Sequence, residues 1–301
     1  MMSSIHFIGV GKMGLPMALH LKAGGHELTV SDPSPERMAL AAREGLVPAG
    51  DPAQAIALSD MVFSSLPDDA VLRAVAAQVA AAGASGAVYV DTSTVSQRAS
   101  ADAAQVCAAA GIDYLRCTVS GNNKMAEAAQ LTVMASGPQA TYERLLPMLR
   151  LLGPNHFYLG TGEEARLMKL VVNLMIAQTT AMLAEGLTLG RKGGLDWKDM
   201  WEVLTASAVA SPILKAKSAQ LGERDFTPTF TVPQMLKDLD LILGEGAASQ
   251  VPLAQTAMTR QLMVAALAQG DAQEDYATII KVAERSAGLG TGAEDALSSR
   301  T

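Results

Sequence analysis

Aromatic residues make up only 4% of this 301-residue chain, and it holds just two cysteines, Cys107 and Cys117. Two cysteines give neither a disulfide framework nor the paired spacing of a metal site, so no metal is expected and a reducing compartment is the simpler setting. Rings are scarce while alanine and methionine are plentiful, and half of the chain is hydrophobic, which suits closely packed helices. Positive charge is also short: 23 Lys+Arg face 30 Asp+Glu. Phosphate binding wants a basic face, so this balance argues against nucleic acid as a partner. The start, MMSSIHFIGVG, lacks the basic region and long apolar core of a secretory signal. The most apolar stretch is broken by Lys, Asn and Gln, which argues against a membrane span. The expectation is a soluble, cytoplasmic protein.

The chain is long enough for two domains. Up to about residue 160, short apolar runs at 5–8, 28–31, 61–65, 88–91, 114–117, 131–135 and 157–159 alternate with Ala-rich stretches of crossover-helix length. Alternating β and α segments imply a mostly parallel sheet covered on both faces. Gly24-Gly25 stops the first helix; Ser34-Pro35 starts the second as N-cap and first helical residue, and Gly45 ends it. After residue 160 the strand signal fades. Thr161 with Glu164 reads as a capping box, and Arg191-Lys192 followed by Gly193-Gly194 closes a helix of roughly 30 residues, about 45 Å long at 1.5 Å per residue. A helix that long is expected to join two domains. The boundaries expected are 1–162 for the α/β domain, 163–290 for the long helix and an all-α domain, and 291–301 for a small, polar, mobile tail.

Gly9-Val-Gly11-Lys12-Met13-Gly14 directly follows the first strand and opens a helix. The first glycine allows a tight turn, the second lets backbone approach a pyrophosphate, and the third lets helix and strand pack closely. The helix N-terminus then meets the anion. Asp32 ends the second strand, where a carboxylate can hold both ribose hydroxyls of NAD and repel a 2′-phosphate. NAD is therefore preferred to NADP, with Arg37 close by in sequence as the counter-argument. Further strand ends carry Leu66-Pro67, the run Asp91-Thr92-Ser93-Thr94, and Ser120-Gly121-Asn122-Asn123-Lys124. Hydroxyls and loop amides there can bind a ribose or a carboxylate; a helix cap and a β-turn are the alternative readings.

Lys169 falls in the greasy half of the long helix, with Asn173 one turn on. Residues four apart share a helix face, and burial lowers a lysine pKa toward neutrality, which makes the pair a candidate acid/base site. A lysine whose head snorkels to water is the competing reading. Lys237-Asp238-Leu-Asp240 lies in the later helices, where a solvated face would explain it equally.

Together the runs GVGKMGLPMALHL, LP at 66–67, DTST at 91–94, VSG at 119–121, KLVVN at 169–173 and KDLDL at 237–241 resemble the β-hydroxyacid dehydrogenase family, which spans 3-hydroxyisobutyrate dehydrogenases and tartronate semialdehyde and glyoxylate reductases. The resemblance implies an α/β Rossmann N-terminal domain, a long interdomain helix and an all-α C-terminal domain used for homodimer or homotetramer formation. It implies Lys169 as general acid/base, Asn173 orienting the substrate, and Ser120, Gly121, Asn122 and Lys124 around the carboxylate of a small substrate. Gly9, Gly11, Lys12, Met13, Gly14, Asp32, Leu66, Pro67, Thr94 and, reaching back from the second domain, Lys237 would hold the cofactor. Four departures stand out: Arg116-Cys117-Thr118 where an acid, a small residue and Pro are usual before VSG; Asn122 in place of a second glycine; and Glu163 and Ala165 in place of glycines before the lysine. Arg116 and Lys124 also add positive charge near the anion loop, which favours a second anionic or polyol group on the substrate, with solvated surface charge as the alternative. An imine reductase-like enzyme and a catalytically silent dinucleotide-binding protein are the other functions considered.

Overall fold

The computed structural model describes residues 2–290, so the expected tail 291–301 lies outside the described residues. The chain divides into two compact units at Leu170–Val171, a point inside the long helix.

The first unit is built on eight strands: β1 (Ser4–Ile8), β2 (Glu27–Ser31), β3 (Val47–Pro48), β4 (Met61–Ser64), β5 (Val88–Asp91), β6 (Asp113–Ser120), β7 (Thr132–Ser136) and β8 (Asn155–Tyr158). Their order in the sheet is β3-β2-β1-β4-β5-β6-β7-β8. Every neighbouring pair is parallel except β6 and β7. The order reverses between β1 and β4, which creates the crevice where open α/β sheets bind ligands. Both faces are covered. Phe7, Met17, Leu21, Val30, Phe63 and Leu115 pack on one side, and Val62, Leu72, Val75, Tyr89 and Tyr114 on the other. This two-sided burial is why the strands read as short continuous apolar runs.

The turn chemistry follows the sequence reading. Helix Gly14–Ala23 stops at Gly24-Gly25. Helix Pro35–Arg43 starts with Pro35 at its first turn and the Ser34 side chain accepting from Arg37 N–H, and Gly45 ends it with a φ of +85°. The two-residue strand β3 and the helices Pro52–Ala57, Asn123–Glu127 and Gln139–Leu149 were not signalled by periodicity. β6 is twice its expected length, because Thr118, a polar residue that masks the pattern beyond Cys117, is buried within it and donates to Ala165 O.

The long helix runs Glu164–Lys192, 29 residues. Its start differs from the expected capping box. The Glu164 carboxylate accepts from Gly162 N–H at 2.8 Å rather than reaching back to Thr161, and the helix begins two residues later than a Thr161 cap would place it. At its far end Gly194 takes a φ of +86°. The helix is long and apolar enough, by length and composition alone, to cross a membrane; its buried positions nevertheless include Asn173, Thr180 and Thr188.

In the second unit helices Trp197–Ala206, Pro212–Leu221, Val232–Ala248, Ala254–Ala268 and Ile279–Ser286 follow, with a short 3-10 turn at Tyr276–Thr278. Buried ion pairs fix them. Lys217 donates to Asp275 at 2.5 Å, and Glu284 takes both Arg191 and Arg224. Breaking such a pair one-sidedly costs about 3–5 kcal/mol, because the remaining charge is left buried.

Candidate functional site

The sequence-predicted residues of the first unit gather along one edge of its sheet, at the carboxyl ends of β1, β2, β4, β5 and β6. They are laced together by short links. Gly9 N–H donates to Ser31 O at 2.8 Å, Ser65 N–H to Ile8 O at 3.0 Å, and Leu66 N–H to Ser93 Oγ at 2.7 Å.

The three glycines of the first loop have different reasons to be glycine. Gly9 has a φ of +90°, and a Cβ there would stand 2.4 Å from Ser65 O. A Cβ on Gly14 would stand 1.9 Å from Gly9 O, so this residue must be glycine for helix and strand to close. Gly11 has no positive φ, and its Cβ would meet nothing nearer than Arg37 Nη1 at 3.5 Å. The protein itself does not require Gly11 to be bare. A ligand backbone approaching the loop does, and this is the observation that fits a dinucleotide pyrophosphate to the site. Lys12 is exposed and Met13 caps helix Gly14–Ala23 from a half-buried position. Gly11, Lys12, Arg37, Leu40 and Asn123 line a cleft of about 560 Å³ beside the loop.

Asp32 ends β2 with its side chain only 2% exposed. One oxygen accepts from Val10 N–H at 3.0 Å and the other from Ser34 N–H at 2.9 Å. Arg37 Nη1 lies 3.6 Å from the same carboxylate. Asp32 thus braces the glycine loop and places a fixed negative charge beside it.

Leu66 and Thr94 are half-buried and Pro67 is exposed. The cap of the helix after Thr94 is Ser96, so the hydroxyls of Thr92, Ser93 and Thr94 are not needed for that purpose. The segment read as a loop after Ser120 is tighter than expected. Gly121 has a φ of +141°, and Asn122 caps the short helix Asn123–Glu127 by accepting from Met125 N–H at 3.0 Å. Lys124 sits on that helix, exposed.

Arg116 fits neither reading offered for it, a substrate-facing charge or a solvated surface charge. Its guanidinium donates to Glu163, the pair being 7% and 16% exposed, and packs over the Tyr114 ring at 4.9 Å. Two of the departures from the family pattern therefore answer each other. Arg116 is spent on Glu163 and does not add a positive charge for a substrate.

Lys169 is half-buried rather than fully buried. The helix side bearing Leu167, Met168 and Val171 is exposed, so the lysine lies at the edge of the buried face. Three residues earlier stands Arg166, which the sequence reading passed over. It is completely buried, and its donors go to Asp91, to Tyr114 Oη at 2.8 Å, to Ser93 O at 2.6 Å and to Ser100 Oγ at 3.1 Å. Burial disfavours its charge, but the neighbouring Tyr114 and Asp91 outweigh this and raise its pKa above the ordinary arginine value. Burial likewise pushes Tyr114 up to about 12. An arginine on the apolar side of a helix start was the available signal; its partner 75 residues away was not.

In the second unit Asn173 is 7% exposed and donates through Nδ2 to Asp238 Oδ2 at 2.6 Å. A carboxylate partner settles which end of the amide faces it. Lys237 Nζ lies 2.9 Å from Asp238 Oδ1, and Asp238 is buried, so this cluster is not a solvated face. Among the described residues no group of three or more His, Cys, Asp or Glu side chains could hold a metal ion.

Residues 4–160 match the family described as the NAD-binding domain of 6-phosphogluconate dehydrogenase, and residues 163–283 match the NAD-binding domain of NADP-dependent 3-hydroxyisobutyrate dehydrogenase. The chain is 35% identical to 2-(hydroxymethyl)glutarate dehydrogenase of Eubacterium barkeri, over 95% of this chain and 96% of that protein. It is 32% identical to chloroplastic glyoxylate/succinic semialdehyde reductase 2 of Arabidopsis thaliana, over 92% and 78% respectively. Among solved structures, 3-hydroxyisobutyrate dehydrogenase of Mycobacterium tuberculosis superposes with a TM-score of 0.86 at 27% identity, covering 94% of this chain and 99% of that one. The protein is an oxidoreductase of the β-hydroxyacid dehydrogenase family, with an N-terminal Rossmann domain, a long helix and a helical C-terminal domain.

Proposed function

We propose that the protein is an NAD-dependent β-hydroxyacid dehydrogenase or semialdehyde reductase acting on a small carboxylate, with Lys169 as general acid/base. The observation that carries this reading is the bare, unhindered Gly11 on the same unit as Lys169, whose helix start is tied to the strand ends of that sheet. The nicotinamide, when bound, supplies or accepts the hydride. Lys169 takes the proton of the substrate hydroxyl during oxidation and returns it during reduction. The Ser120 hydroxyl and the Gly121 amide anchor the carboxylate, while Asn173, one helical turn from Lys169 and held by Asp238, orients the reacting oxygen. NAD is the preferred cofactor, because a 2′-phosphate at the end of β2 would meet the fixed charge of Asp32. Arg37 pairs with that charge and limits the preference.

The test is the Lys169→Ala variant. Its kcat falls by about 10²- to 10⁴-fold, the range of a general acid/base, while NADH still binds. Near-normal turnover would overturn the assignment. Asp32→Ala lowers the ratio of kcat/KM with NAD to that with NADP; equal use of both by the unmodified protein would contradict the cofactor reading. A panel of hydroxy acids, sugar acids and semialdehydes, with 2-(hydroxymethyl)glutarate and succinic semialdehyde included, identifies the substrate.

We further propose that a second copy of the chain covers the exposed side of the long helix in the second unit. Val171, Met175, Met182 and Leu189 are 44–76% exposed and, with Gln178 and Glu185 between them, alternate in steps of four and three. That spacing is the seam of paired helices. A monomer by sedimentation at micromolar concentration would rule this out.

A further inference from the structure

Arg166 is the largest fully buried side chain of the described residues, and it is charged. A buried ion pair is a weak source of stability, since well-packed apolar residues often serve as well or better. What Arg166 supplies is geometry. Its fork spans Asp91 at the end of β5, the Ser93 carbonyl in the following loop, Tyr114 on β6 and Ser100 in helix Gln97–Ala109. Asp91 is a hub in turn. It accepts from the Ser64 hydroxyl at the end of β4 and from Ser93 Oγ at 2.7 Å, and Ser93 Oγ receives Leu66 N–H. The Ser64 hydroxyl accepts from Tyr89 Oη at 2.8 Å. One connected set of side chains therefore joins Leu66, the loop leading to Thr94, and the helix position three residues before Lys169. Residues three apart lie on the same side of a helix, so fixing Arg166 fixes the direction in which Lys169 leaves the helix.

We propose that Arg166 and Asp91 are positioning residues that set Lys169 in register with Leu66 and Thr94, the walls assigned to the nicotinamide; the proposal rests on the proton-transfer role of Lys169. Neither residue touches substrate or cofactor. They act by holding the proton-transfer group and the hydride-transfer face in one rigid frame, where a displacement of about 1 Å is enough to cost on the order of 10²-fold in rate.

Three variants of the full chain test this: Arg166→Lys, which keeps the charge and loses the fork; Arg166→Met; and Asp91→Asn. Lys217→Met in the second unit serves as a destabilised control. With succinic semialdehyde and NADH as probe, the expected result is a fall in kcat of at least 30-fold, KM and the NADH Kd within threefold, and a larger isotope effect with 4-deuterated NADH. The titration of Lys169, followed by competitive acetylation and mass spectrometry, needs no substrate and is expected to move by at least half a pH unit. The control should lose thermal stability and keep both readouts. A lower Tm with kcat, isotope effect and Lys169 titration unchanged would overturn the proposal and leave Arg166 a structural pin. If Arg166→Met does not fold, Arg166→Lys and Asp91→Asn decide by the same readouts. Turnover surviving in Lys169→Ala would instead remove the catalytic reading itself, whatever the Arg166 variants do.

Discussion

The first unit contains two helix starts that face the same problem, how to bring a helix close to the end of a sheet, and solve it in opposite ways. At Gly14–Ala23 the approach is made by removing side chains, and Gly9 and Gly14 leave room only for backbone. At Glu164–Lys192 Glu163 and Ala165 stand where the family pattern has glycines, and the approach is made with paired charge, Arg116 on Glu163 and Arg166 on Asp91. Thr118 Oγ1 also donates to Ala165 O at 3.0 Å, and Ser136 Oγ to Gly162 O at 2.8 Å. The difference teaches that the same closeness serves two ends. A bare loop leaves room for an anionic ligand, whereas a pinned start fixes the helical turn that carries Lys169.

The largest effect is expected from breaking the bare start. Gly14→Ala puts a methyl 1.9 Å from a backbone oxygen that has nowhere to go, and stability should fall by about 3 kcal/mol or more, read by urea unfolding. Next comes the pinned start. Arg116→Met strands the partly buried Glu163 charge and should lower stability by about 2–3 kcal/mol. The double variant Arg116→Met/Glu163→Gln should recover most of it; additive losses would mean that the two residues do not act as a pair. Mild acid should act on the bare start through His6, which braces β2 by bonds of 2.9 Å to Thr29 and to Ser31. Burial lowers the His6 pKa to about 4. Above pH 6.5 the ring is neutral folded or unfolded and contributes nothing. Between 6.5 and about 4 only the unfolded chain takes the proton, so stability drops as pH falls, by up to about 3 kcal/mol in all. His6→Asn should flatten that slope in melts between pH 7.5 and 4.5. The smallest effect sharpens the comparison most. Gly11→Ala should leave Tm unchanged and weaken NADH about tenfold, or ~1.4 kcal/mol. A loss of stability there would mean that the glycine serves the fold and not the ligand.

What could be read in advance was whatever repeats locally. The apolar runs, the caps at Ser34 and Gly45, and the glycine loop all depend on neighbours within a few residues, and they appear close to where expected, with β6 longer and β8 shifted. The pairings do not. Arg116 and Glu163 were legible as two separate oddities, and only the fold, which brings positions 47 apart together, shows them to be one feature. Arg166 was hidden by its setting in an apolar helix, and Asp91 by its place in a run of hydroxyl residues that suggested a ligand. The short helix after Gly121 was masked because Gly and Asn favour turns, although Asn122 is equally suited to cap a helix. Lys169 was read in the greasy half of the helix with burial and snorkelling both open, because periodicity alone does not say where the rim of that face falls.

The exposed methionines of the long helix have a chemical consequence. Met175 and Met182 are 60% and 66% exposed, and thioethers at such positions oxidise readily to the polar sulfoxide. They are thus built-in reporters of their own surroundings, with Met258, 70% exposed on another helix, as the reference. Dilute peroxide followed by peptide mass analysis would read from one sample whether that surface meets water or another chain. If a second copy covers that surface, the same reaction would set polar sulfoxides into the proposed contact and loosen it.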